Sequence, residues 1–158
     1  MSVSIGFSTK RGSFLSSIIR WATGSKVSHI WILSDIFGVP CVVEASEKGF
    51  FPSSSLARFE KDNEVVFLFP VEHDLSEGLR WAANHFGERY DFAGLFGMIR
   101  VLLGRLFHRR WKNPWNNRKA LFCAEAIAEV LKRSAYPKSE ALRPADVGPE
   151  DIRKFLSE

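Results

Sequence analysis

At 158 residues, with 46% hydrophobic and 25% charged content, the chain has the size and composition of one soluble globular domain with a sizeable core, spanning 1–158. Fourteen Phe and five Trp argue against disorder, and a net charge of +4 favours anionic partners without specifying one. Two cysteines far apart, with no Cys-x-x-Cys pair and no ligand spacing among the four histidines, exclude a structural zinc site, and no cofactor is expected.

The first residues read as a strand, not a targeting segment, and no apolar run reaches membrane-spanning length. Cys41 and Cys123 are therefore expected as free thiols in a reducing, cytoplasmic compartment. Val3, Ile5 and Phe7 alternate with small or polar residues, which predicts a half-buried strand. After a turn at Lys10-Arg11-Gly12, Ser13 caps a helix whose apolar positions are Phe14, Leu15, Ile18, Ile19 and Ala22, and Gly24 ends it. Val27 to Leu33 is rich in β-branched and aromatic residues and predicts a strand. Gly38-Val39-Pro40 then turns into Cys41–Ala45, so the two strands can pair as a hairpin.

Residues 46–63, with Gly49, Pro52 and three consecutive serines, read mostly as loop. Phe50 and Phe51 there either rim a cleft or pack down on the core, and packing is the plainer expectation. Glu64 to Val71 reads as a strand, and its almost wholly apolar run Val65 to Phe69 predicts a central one. Asp74 and Glu77 have capping-box spacing before a helix with Leu75, Leu79, Ala82, Ala83 and Phe86 on one face, stopping at Gly87.

Between Asp91 and Glu125 no acidic residue occurs, whereas Arg100, Arg105, Arg109, Arg110, Lys112, Arg118 and Lys119 all lie there with Trp111 and Trp115. The plain reading is a core-facing helix with a solvated basic face, followed by a loop. The segment also suits an anionic membrane surface, with aromatics at headgroup level, which would make the protein membrane-associated. A nucleic-acid partner is not expected. Leu121 to Leu131 reads as a helix with Cys123 in its first turn, and Ile127, Val130 and Leu131 share the cysteine's face. The positive end of a helix dipole favours thiolate, the form that attacks carbonyls, although a lone cysteine is commonly just a small buried hydrophobe. Pro137, Pro144 and Pro149 break the tail into loop and one short helix near Glu150–Phe155.

A thiol hydrolase needs a base near the sulfur and a polar group to orient that base. His29 stands in an otherwise apolar strand, and Glu44 is the one acidic residue of the next. If the hairpin pairs, the two sit near matching ends, where cross-strand neighbours lie within about 5 Å. A strand histidine can equally be structural, Glu44 can simply face solvent, and a one-residue slip would turn one of the two to the other face of the sheet. Cys41 is the weaker nucleophile candidate because no helix dipole acts on it.

The ordered set Ser28-His29, Val43-Glu44-Ala45, Gly87-Glu88-Arg89-Tyr90-Asp91, Phe122-Cys123-Ala124-Glu125 and Pro144-Ala145-Asp146-Val147 resembles the circularly permuted branch of the NlpC-type papain-like cysteine hydrolases, the YiiX-like group. The resemblance spans Val3 to Val147. It implies an α+β, papain-like fold with an antiparallel sheet, packed helices and the nucleophile at a helix start. It further implies Cys123 as nucleophile, His29 as general base and then acid, Glu44 as orienting group, and Tyr90 beside the site. The expected reaction is cleavage of an amide, of peptide or murein-peptide type, through a thioester. The alternatives are the same chemistry on a lipid acyl substrate, as in the related lecithin–retinol acyltransferase type, or a non-catalytic module that reads a membrane surface or partner.

Overall fold

The computed structural model describes residues 3–36, 38–109, 111–115 and 120–158; of the basic segment, Arg110, Arg118 and Lys119 lie outside the described residues. The chain forms β1 (Val3–Lys10), α1 (Phe14–Thr23), β2 (His29–Ile36), β3 (Val39–Ser46), β4 (Gly49–Ser55), α2 (Leu56–Asp62) and β5 (Asn63–Val71). It continues through α3 (Ser76–Asn84), β6 (Arg89–Tyr90), α4 (Phe92–Leu106), β7 (Ala120–Leu121), α5 (Cys123–Arg133), two short 3-10 turns and α6 (Pro149–Leu156). This is an α+β architecture. The main sheet is antiparallel, with strand order β4-β3-β2-β1-β5.

The predicted hairpin is present, and the Ser13 hydroxyl caps α1 by accepting from the Ser16 N–H. Four expectations are corrected. Residues 49–62 form strand and helix, not loop: β4 pairs along β3, burying Phe50 while Phe51 stays half-buried. β5 lies at the sheet edge, not its centre. Pro70, which has no N–H to donate, is tolerated there, and Leu68 is 45% exposed. The Asp74–Glu77 capping box does not form. Leu75 precedes α3, Asp74 Oδ1 takes the Ser76 N–H, and Glu77 pairs with Arg80; Ala83 and Phe86 face outward. Phe14 also points to solvent, so the buried face of α1 is Ser16, Ile19 and Ala22.

The core lies between the sheet, through Ile5, Phe7, Ile30, Ile32 and Val43, and α5, which is buried nearly all round instead of along one stripe. Apolar burial at about 25 cal/mol per Å² makes this layer the main source of stability. The α3–α5 crossing is close because Gly78 has no side chain: a Cβ there would overlap the Val130 carbonyl oxygen. Its N–H instead donates to Ser134 Oγ at 3.0 Å. No described helix is long and apolar enough to cross a membrane.

Candidate active site

The site gathers where β2 begins and β3 ends. The β2–β3 register pairs Ile32 with Val43, so Glu44 falls diagonally across from His29 and on its face of the sheet. The His29 Nε2 and Glu44 Oε2 atoms are 2.5 Å apart, with the two side chains only 16% and 12% exposed. Ser53, from β4, adds a second hydrogen bond to the Glu44 carboxylate. Burial alone would raise the pKa of that carboxyl, but the bonds from His29 and Ser53 hold it below its ordinary value.

Cys123 is the first residue of α5. Its placement depends on a two-residue parallel pairing, Arg89 with Ala120 and Tyr90 with Leu121, which sets Tyr90 alongside the start of the helix. That segment is fixed in turn from β4: Phe50 N–H donates to the Glu88 carbonyl at 3.0 Å, and Gly87 N–H to the Phe50 carbonyl at 2.9 Å. Gly49 makes the approach possible, since its φ is 116° and a Cβ would sit 2.7 Å from the Glu88 oxygen.

The thiol is 2% exposed and acts electrostatically on both the His29 ring and the Tyr90 hydroxyl, raising the pKa of each. With Nε2 engaged by Glu44, Nδ1 is the ring nitrogen left for sulfur. Burial works against a charged imidazole, yet the bonds to Cys123 and Glu44 outweigh it and push the His29 pKa from 6.5 up to about 10. The ring is therefore an imidazolium at neutral pH. Burial, reinforced by the neighbouring Cys123, keeps the Tyr90 phenol protonated well above its usual range. All four sequence-predicted residues thus meet in one place. Cys41 does not join them; it is a free thiol within β3, between Ser34 and Ser55 on the flanking strands.

Three features carry no sequence signal and were not expected. A hydroxyl chain, Thr9 to Ser16 at 2.9 Å and Ser16 to Ser28 at 2.6 Å, ties α1 to β1 and to the residue before His29. Glu125, in the first turn of α5, is buried and accepts from the Phe122 N–H. Burial and nearby Asp91, against that one bond, raise its pKa from 4.5 to about 8. Finally, a cleft of about 170 Å³ opens over the site, lined by His29, Glu44 and Tyr90 with Ser28, Leu15, Ile19 and Phe92. Compared with known proteins, the sequence matches no family model and no curated relative.

Proposed function

We propose that the protein is a cysteine hydrolase of the permuted NlpC-type, papain-like kind, cleaving an amide bond of peptide type in a reducing, cytoplasmic compartment. The observation that carries the proposal is the buried His29–Glu44 pair, with Cys123 acting on the His29 ring from a helix start. The order of its members, base and orienting carboxylate before nucleophile, is that of the permuted branch. The free state of both cysteines fits a reducing location.

In the reaction, Cys123 Sγ attacks the carbonyl carbon and the oxygen becomes an oxyanion. The Cys123 backbone N–H, at the start of α5, is placed to receive it, and such a donor is commonly worth about 3 kcal/mol. Collapse breaks the C–N bond as the His29 imidazolium gives its proton to the leaving amine. Water then attacks the thioester, His29 takes its proton, and the carboxylic acid leaves with the thiol restored. Glu44 stabilises the imidazolium throughout. Tyr90, whose protonated phenol is coupled electrostatically to Cys123, stands beside the sulfur as a donor for the reacting centre.

The test is iodoacetamide alkylation at pH 7 in a Cys41→Ser background. Cys123 should react readily, and His29→Ala should slow it by about tenfold or more, since thiolate content controls the rate. A Cys123 that reacts like a free thiol, indifferent to His29, removes the proposal.

A further inference from the structure

The two helices flanking the cleft carry large aromatic side chains into solvent. On α1, Phe14 is 81% and Trp21 77% exposed; on α4, Phe92 and Phe96 are 45% and 51% exposed, and Phe107, just past its end, 67%. Phe14 and Trp21 are seven residues apart and Phe92 and Phe96 four, so each pair shares a helix face. α1 and α4 are in contact and run side by side. Their starts meet at the cleft over His29 and Glu44, which Leu15 and Phe92 both line, and their ends at a second groove lined by Trp21 and Leu102. The exposed aromatics therefore form one surface beside the mouth of the cleft. Soluble monomers rarely leave so many large rings together in water.

The charge on the same elements identifies what covers them. Residues 10–26 and 92–124 hold eleven of the 22 basic residues and none of the 18 acidic ones, so the rest of the chain is net negative. At the rim, Glu47 pairs with Lys10 and Asp151 with Arg105, while Arg100 stacks on Trp111 at 4.9 Å. Exposed aromatic rings on segments that carry cations and no carboxylates fit a surface that is apolar below and negative above. We infer that the α1–α4 face docks on an anionic lipid bilayer, with the cleft at the edge of the docked surface. The docking stands on exposure and charge alone and does not depend on the hydrolase reading.

The test is co-sedimentation of the Cys123→Ser protein with phosphatidylcholine vesicles, with and without phosphatidylglycerol, at low and high salt. Binding should require phosphatidylglycerol and weaken in high salt. It should fall about tenfold or more in the triple variant Phe14→Gln, Trp21→Gln, Phe96→Gln, whose side chains are solvent-exposed. Equal binding by the variant, or none by the parent, overturns the inference. So does a parent dimer that ignores vesicles and that the triple variant dissolves, because a second copy then covers the face. The same substitutions in the active protein should leave Cys123 alkylation unchanged, so loss of docking and loss of the thiol chemistry are read separately.

Discussion

At the scale of residues, the pair His29–Glu44 governs what the sulfur can do. Replacing Glu44 by Gln keeps a hydrogen-bond acceptor and removes the charge that faces the imidazolium. The His29 pKa should then fall from about 10 toward 6.5, which an NMR titration of the ring reads directly without a substrate. Alkylation at pH 7 should slow with it, and turnover should fall by roughly two orders of magnitude or more, as when other triads lose their carboxylate. These residues were legible in the sequence because their types are unusual for their strands, an imidazole and a carboxylate among apolar neighbours. Their contact was not legible: it is a diagonal one, set by the register of the hairpin. Ser53 and the Thr9–Ser16–Ser28 hydroxyls were invisible because a buried serine has the same sequence signature as a solvated one.

At the scale of elements, local periodicity recovered β1, α1, β2, β3 and α6, whose patterns their own packing reinforces. It failed at β4, where Gly49, Pro52 and three serines have low strand propensity and only pairing with β3 holds the chain extended. It misplaced β5 because an apolar run does not distinguish a central strand from an edge strand lying partly under other groups, as Phe67 lies under Arg153 at 5.2 Å. The pairing of Tyr90 with Leu121 joins residues 31 positions apart and leaves no local trace. The α3–α5 crossing makes its own prediction. Gly78→Ala drives a methyl group into the Val130 carbonyl and to 2.5 Å from Ser134 Oγ. The variant should lose about 1–3 kcal/mol, seen as a melting temperature lower by roughly 2–4 °C per kcal/mol.

At the scale of the whole molecule, stability should follow pH through three groups with different windows. The folded pKa of His29 is raised, so its contribution is complete below 6.5 and is lost as pH rises through about 10. The folded pKa of Glu44 is lowered, so its contribution is present above 4.5 and is lost in acid. Glu125 works the other way for a carboxyl: its pKa is raised, and the folded state is penalised progressively as pH climbs from 4.5 to about 8. Glu125→Gln keeps the acceptor for the Phe122 N–H and removes the charge. Melting temperatures measured across pH should show the variant more stable than the parent at pH 8, by on the order of a few kcal/mol, and little changed at pH 4. The His29-dependent decline above neutrality should persist in it.

The chain order of the site has a consequence for biosynthesis. His29 and Glu44 are fifteen residues apart and belong to a single hairpin, whereas Cys123 follows His29 by more than ninety residues. A ribosome working from the N-terminus therefore releases base and orienting carboxylate together, with their strands, long before the nucleophile. The thiol emerges when the hairpin that receives it is already outside the tunnel, and a chain cut short before Ala120 has every part of the charge system except the atom that attacks.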